Sequence, residues 1–416
     1  MSIVVSNMRL HFPRNRGNLV FLIGTIFTIF ILGMSYRKID TMVPEVDNED
    51  LDDYENQMRR LREGESAILR RHHSQNSPPT YMVKYPWAMH KNYLPNFYTR
   101  RNVGADNRWP NDLSYTNSTI VFVDNHNSAG GVMKECLSAI ATNLSLPKPS
   151  LVWNNNVGKF YKGIKAEGSD QSLDKLYLGG FSFGVCDYTN EPCSYYTVIR
   201  EPYERIIASY VYCKGKRELP CQVRNAKGRP LSLKEWALRQ GSFFFRQLLH
   251  NPEVCGLDYL SKIAELREPD DPSATTMPCW YKNKLVLDKI MTREDKHQVL
   301  DFILEHIETW FSVVGITDEY DTFLRVLQHA YKLPFESLCS ETIENVVFKT
   351  DGEDYLSQSE LLYELKRELL SDQDVFDALY FDVRIYQKMQ EIFVTQKEIY
   401  FTYFDTHPTV MTEPTK

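Results

Sequence analysis

The chain has no Cys-x-x-Cys pair and no His-rich spacing, so the usual sequence signatures of a structural zinc site are missing and no metal is expected. It has no repeat of fixed period, which leaves no basis for a repeat architecture. It has no excess of positive charge either. Against 48 Lys and Arg stand 55 Asp and Glu, a formal net charge of -7. No global field recruits polyanions, nucleic acid is set aside as a partner, and any anionic ligand has to be held by a local cluster. An Asp-x-Asp triplet at a strand end, which a metal-dependent glycosyltransferase would want, is also missing. The triplets present fall at Asp50 and Asp52 in an acidic stretch and at Asp372 and Asp374 among late helices. What the chain does have is apolar material: 43% hydrophobic side chains over 416 residues are enough to bury at least one large core.

One segment carries that material to an extreme. Leu19–Tyr36 (LVFLIGTIFTIFILGMSY) contains no Asp, Glu, Lys or Arg. At about 1.5 Å per residue a helix of this length spans about 27 Å, the thickness of a thin early-secretory bilayer. Arg9, Arg14 and Arg16 precede it, while Arg37 and Lys38 are followed by Asp40, Glu45, Asp47, Glu49, Asp50, Asp52 and Asp53. The excess of Arg before the span places the N-terminus on the cytoplasmic side. The expectation is a cytoplasmic tail (1–18) and a transmembrane signal-anchor (19–36) in a single-pass type II membrane protein. The alternative is a cleaved signal peptide, with Gly33 and Ser35 as the small residues of a cleavage site. The apolar run is longer than the usual ~7–15-residue signal core. Both readings put the rest of the chain in the lumen.

The cysteines agree with that compartment. All eight (Cys136, Cys186, Cys193, Cys213, Cys221, Cys255, Cys279, Cys339) follow the span, an even number where disulfides are permitted. Cys186 with Cys193 and Cys213 with Cys221 are spaced to close short loops, but the sequence leaves the connectivity open. Two acceptor sequons, Asn117-Ser118-Thr119 and Asn143-Leu144-Ser145, are usable only in the lumen. From 37 to 115 the chain reads as a lumenal stem, acidic and then charged, with few apolar residues at core spacing, and its aromatics between Tyr81 and Trp109 are expected to pack onto the domain edge. The folded domain is expected over 116–406, followed by a polar, mobile tail (407–416).

Two units inside that domain have the pattern of an α/β fold. Ser118–Asp124 (STIVFVD) is a β-branched run typical of a buried strand. It leads through Asn125–Met133 (NHNSAGGVM) into residues where Met133, Leu137 and Ile140 recur at helical spacing. Strand, glycine-containing turn and helix together point backbone N–H groups and a helix N-terminus at an anion. The second unit, Ser194–Ile199 (SYYTVI), ends in Arg200-Glu201-Pro202-Tyr203-Glu204-Arg205 before another helical run. Pro202 suits the first turn of that helix. Arg200 then stands at the carboxyl end of a strand, where open α/β sheets bind ligands. Arg205 lies in the first helical turns, free for a ligand or paired with Glu201 or Glu204.

These residues resemble the donor-binding elements of the membrane-anchored carbohydrate sulfotransferases, which use 3′-phosphoadenosine 5′-phosphosulfate. The first family element reads Pro-Lys-Thr-Gly-Gly-Thr-Thr; here the turn reads Asn127-Ser128-Ala129-Gly130-Gly131-Val132-Met133. The second family element reads Arg-Asp-Pro-x-x-Arg-x-x-Ser-x-Tyr; here it reads Arg200-Glu201-Pro202-Tyr203-Glu204-Arg205-Ile206-Ile207-Ala208-Ser209-Tyr210. Two later segments are similar as well, Gly241–Leu249 and Trp310–Leu324, so the resemblance covers most of 118–335. It implies a P-loop-like parallel sheet flanked by helices, the sulfotransferase fold, behind one transmembrane helix and a stem. It also implies a Golgi location, a glycan or proteoglycan acceptor, and a donor site built from Asn127, Ser128, Ala129, Gly130, Gly131, Val132, Arg200, Arg205 and Ser209. Several positions depart from the family pattern. Ser128 stands where the family has the Lys that stabilises charge on the leaving phosphate. Val132 and Met133 replace two hydroxyls, and Ala208 replaces the Ser expected at the 3′-phosphate. Ser209 is one residue later, about 100° around the helix.

A sugar hydroxyl needs a general base, and His126 in the turn, flanked by Asn125 and Asn127, is the first candidate. Glu167 and Asp187 are weaker ones. Lys134, in the first helical turns, is the candidate for the missing cation. After Phe335, Leu361, Leu362, Leu365 and Leu369, and then Phe376, Leu379, Tyr380, Val383 and Tyr386, predict a pair of amphipathic helices. Two functions stay open: an active sulfotransferase, and a catalytically inactive protein of the same fold that binds glycan or protein partners.

Overall fold

The two apolar runs expected as buried strands lie side by side at the centre of a five-stranded parallel sheet. The computed structural model describes residues 93–99, 113–153, 156–167, 175–189, 191–214, 221, 228–249, 287, 291–340 and 355–405. The expected cytoplasmic tail, the signal-anchor at 19–36, most of the stem and the tail at 407–416 lie outside these residues. Among the described residues no helix is long and apolar enough to cross a membrane.

In chain order the elements are α1 (Leu113–Asn117), β1 (Thr119–Asp124), α2 (Gly130–Asn143), β2 (Ser150–Leu151), α3 (Val157–Glu167), β3 (Leu176–Gly179), β4 (Cys193–Ile199), α4 (Pro202–Cys213), α5 (Leu233–Gln240), α6 (Phe243–Leu248), α7 (Arg293–Trp310), β5 (Phe311–Ile316), α8 (Tyr320–Tyr331), α9 (Tyr355–Leu370) and α10 (Gln373–Tyr400). The strand order is β2-β3-β1-β4-β5. Every residue of β1, β4 and β5 is buried, as expected of strands covered on both faces. The connections from β1 lead toward the β2 edge and those from β4 toward β5. The crevice at the carboxyl ends of β1 and β4 is therefore the topological switch point of the sheet.

Local sequence sets the helix ends. Glu201 caps α4 by accepting from Glu204 N, with Pro202 in the first turn. Ser232 with Glu235 and Thr292 with Asp295 form capping boxes on α5 and α7. Asp372 caps α10, accepting from the amides of Asp374 and Val375. The pair of late helices is present as α9 and α10, although Leu362, expected on the core face, is exposed. Leu369, Leu379 and Val383 are buried.

Part of the segment read as stem belongs to the domain. Phe97 and Tyr98 are buried, Leu94 N donates to Cys193 O, and Phe97 N donates to Ser312 O. Gln396 of α10 joins this segment to the sheet, donating to Asn96 Oδ1 and accepting from Val314 N on the edge strand β5. The physical reason is ordinary: the aromatic residues of 93–98 bury more area than a solvated stem allows.

Three cysteine pairs lie at bonding distance, Cys136–Cys339, Cys186–Cys193 and Cys213–Cys221. Cys255 and Cys279 fall outside the described residues. The first bridge fastens α2 to the segment after α8, across a sequence separation of 203 residues. Of the two sequons, Asn143-Leu144-Ser145 is exposed at the end of α2, whereas Ser118 and Thr119 are buried at the start of β1. Replacing Cys136 and Cys339 together by Ser is expected to lower the unfolding free energy by about 2–5 kcal/mol, because the closed loop is long. Urea unfolding without reductant measures this, and a loss under about 0.5 kcal/mol would mean that the bridge does not form.

Candidate functional site

The polypeptide leaves β1 at Asp124 and enters α2 at Gly130 through five residues whose backbone is the unusual part. Asn127 and Ala129 both have φ 65°, while Ser128 between them and Gly130 after them do not adopt positive φ. A left-handed conformation costs a residue with a Cβ about 1–2 kcal/mol. Alternation of φ sign along consecutive residues is the backbone pattern of an anion nest, although here the Ser128 amide is already given to Asn125 O at 2.9 Å. The sequence pattern suggested that glycine supplied the turn. Instead both glycines are already helical, and the left-handed positions are Asn127 and Ala129.

The nest opens onto the N-terminus of α2, which no side chain caps. Around it, Asp124 Oδ1, Asn125 Oδ1, Asn127 Nδ2 and Ser128 Oγ are buried without a hydrogen-bond partner. Unsatisfied buried polar atoms are costly, so four in one turn mark a place where something else supplies the partners. Gly130 has a separate duty: a Cβ there would collide with the Asp124 carboxyl group. Burial pushes the Asp124 carboxyl up from its ordinary 3.8 to about 7. Gln247 Nε2 donates to Asp124 O and to Gly180 O, both at 2.8 Å, and so ties the carboxyl ends of β1 and β3 together.

Across the switch point, Arg200 is half-buried at the end of β4, and among the described residues its guanidinium has no hydrogen-bond or ion-pair partner. It lines a small, partly open crevice with Asn125, Pro202, Phe244, Ile385 and Tyr386. Arg205 and Asp382 form the floor. Their ion pair, at 3.5 Å, is almost wholly buried. Asp382 also accepts from the amides of Phe244 (3.1 Å) and Phe245 (2.8 Å) at the start of α6. Burial pulls the Arg205 guanidinium down and pushes the Asp382 carboxyl up, each opposed by the partner's charge. A guanidinium keeps its proton in proteins, so the carboxylate form of Asp382 prevails. The expected partners Glu201 and Glu204 are held instead by Lys366, at 3.6 and 2.9 Å.

The other residues singled out from sequence divide as follows. His126 is exposed in the turn and absent from the crevice lining, its ring 6.1 Å from Phe243, which in turn carries the Arg205 guanidinium at 5.4 Å. Gly131 is exposed and Val132 half-buried in the first turn of α2. Lys134 is exposed and is not part of the crevice lining, and Met133 is buried in the core, so it does not fill the crevice. Ser209 is also buried in the core. Its Oγ donates to Ile206 O (2.9 Å) and accepts from Trp236 Nε1 (2.7 Å), and it is absent from the lining. Asp187 accepts from Tyr93 Oη at 2.5 Å. The side chain of Glu167 is outside the described residues.

Asp372 and Asp374 pair with Lys234 at 2.6 and 2.9 Å, which gives that triplet a structural partner. Among the described residues no group of three His, Cys, Asp or Glu is arranged to hold a metal. Sequence reasoning missed Asp124, Gln247 and Asp382. The first and last carried a signal: each is a lone carboxylate in an otherwise apolar pattern. No family model matches this sequence, and a search of curated proteins finds no match.

Ala129→Gly is expected to raise the unfolding free energy by about 0.5–1 kcal/mol, because it relieves a left-handed Cβ. Gly130→Ala is expected to lower it by about 1–3 kcal/mol through overpacking against Asp124. Both are read from denaturant midpoints, and the reverse signs would contradict the turn geometry. A pH series tests Asp124 itself. Its folded pKa, about 7, lies above the ordinary 3.8, so the native state holds a proton that the unfolded chain releases. The stability it contributes is full below pH 3.8 and is lost as pH rises through about 7. Asp124→Asn should flatten that fall in melting temperature.

Proposed function

We propose that the chain is a sulfotransferase of the membrane-anchored carbohydrate class, moving a sulfuryl group from 3′-phosphoadenosine 5′-phosphosulfate to a glycan or proteoglycan hydroxyl in the Golgi lumen. The single observation that carries this reading is Arg200, an unengaged half-buried cation lining the switch-point crevice. The five-stranded parallel sheet with flanking helices is compatible with the sulfotransferase fold. An oxyanion end of the donor fits the turn. The amides of 127 and 129–132, Ser128 Oγ and Arg200 would hold it, and of the unpartnered buried atoms there Asn127 Nδ2 and Ser128 Oγ are donors that an oxyanion would answer. A second phosphate is less well served, since Arg205 is committed to Asp382 and Ser209 to Trp236. The donor supplies the sulfuryl group; the chain binds and orients it. His126, exposed in the turn, would take the acceptor's proton. Lys134 contributes only if its exposed side chain swings back over Gly131.

A second reading, a catalytically inactive relative that binds glycan or protein partners, is favoured by one feature. Ser128, which stands in the place of the family Lys, is fully buried and uncharged.

Calorimetric titration of adenosine 3′,5′-bisphosphate into the full chain separates the two. Micromolar binding is expected, and Arg200→Ala should weaken it roughly 10- to 150-fold, the loss of one charge-assisted contact. No heat of binding from a folded chain would sink the sulfotransferase reading and leave the second one.

A further inference from the structure

Asp124 stands where a bound anion would be least tolerant of a second negative charge. Its carboxyl group packs against Gly130, the first residue of α2, is 3% exposed, and leaves Oδ1 without a partner. The same uncapped helix end and the same nest are what an oxyanion would use. Helix ends attract one anion; two in a buried turn repel each other through a medium that screens poorly.

We propose that Asp124 couples occupancy of the turn to uptake of one proton, so that the oxyanion binds when Asp124 is a neutral carboxylic acid and is expelled when that proton leaves. This rests on the reading that the turn holds an anion, and it names the condition under which it does so. The proton moves between solvent and a carboxylate oxygen of Asp124, and no bond of the anion is made or broken. In its neutral form Asp124 also gains an O–H donor, in a turn whose unpartnered atoms include the acceptor Asn125 Oδ1.

Burial alone already pushes this carboxyl to about 7, which brings the neutral form within reach near neutrality. The charged and titratable groups on the elements around it are His126 in the turn, Lys134 and Glu135 on α2, Arg200 and Glu201 after β4, Arg205 on α4, Arg246 on α6 and Asp382 on α10. Burial is the main cause of the shift of Asp124. Among the described residues the two other buried carboxyls have partners of their own: Glu201 accepts from Glu204 N and faces Lys366, and Asp382 is held by Arg205 and two amides.

Inorganic sulfate, which does not titrate near neutrality, is the probe. Its binding to the full chain is measured calorimetrically in two buffers of different ionisation enthalpy, at pH values either side of 7. Proton uptake is expected to approach one per sulfate at about pH 8.5 and to fall toward zero below about pH 6, with apparent affinity dropping roughly tenfold per pH unit above about 7. Asp124→Asn should abolish the uptake and keep sulfate binding at high pH. Sulfate binding without proton uptake in the natural chain overturns the coupling and leaves the anion site standing. Uptake that persists in Asp124→Asn overturns it too, by assigning the proton elsewhere. If neither sulfate nor adenosine 3′,5′-bisphosphate binds at any pH, the anion site and the coupling fall together. Should Asp124→Asn not fold, His126→Asn decides: uptake retained there supports Asp124, and uptake lost overturns it.

Discussion

The carboxylate of Asp382 is the point on which the crevice depends. It sits about a third of the way along α10, a 28-residue helix that runs past α4, α5, α6, α7 and β5. From there it collects a guanidinium from α4 and two amides from the first turn of α6. A carboxylate this deeply buried is tolerable only when its acceptors are filled, and removing one partner of such a pair costs about 3–5 kcal/mol. The three helices therefore cannot shift independently. Ser242 extends the junction, donating to Ala378 O and accepting from Asp382 N. With α6 fixed, Phe244 forms part of a wall of the crevice, and Gln247 reaches the carboxyl ends of β1 and β3.

That junction decides the electrostatics of the site. Sequence spacing offered two arginines to a ligand, but the floor of the crevice neutralises one of them internally. Arg205 contributes shape and a cation–π contact to Phe243, with its charge already answered. Arg200 has no such partner, so the attraction for an anion comes from one guanidinium, the nest amides and the dipole of α2. With Arg200 as the one unengaged guanidinium of the crevice among the described residues, discrimination rests on backbone geometry more than on net charge. The acidic balance of the chain as a whole makes such local arrangement necessary.

What was legible in the sequence follows from how each feature is encoded. β1, β4 and the turn between β1 and α2 are contiguous stretches, and periodicity and β-branching report them directly. Arg200 was placed at a strand end by the same local logic. The partner of Arg205 was not legible, because Asp382 lies 177 residues away and only the tertiary fold brings it to the pair. Ser209 shows the same limit from the other side. Its hydroxyl fits the expected phosphate position nearly as well as Ala208 by count, yet the helix turns it toward Trp236. The aromatics of 93–98, expected to pack on the domain edge, do so on β4, β5 and α8; the sequence did not say which elements would receive them, because those partners lie far along the chain.

The glycines of the turn carry a further step. Gly130 is explained from inside the protein, since a side chain there would strike Asp124. Gly131 is not. It is helical and exposed, and a Cβ built on it meets nothing within 4 Å. Glycine in a helix costs about 1 kcal/mol relative to alanine, and here no neighbouring atom asks for it. Meanwhile Asn127 and Ala129 hold left-handed conformations that glycine would adopt without strain. A turn arranged for folding alone would put glycine at 127 and 129 and a side chain at 131. The observed order makes sense if the space above residue 131 must stay open to something that approaches the helix end from solvent, close enough for a Cβ to interfere.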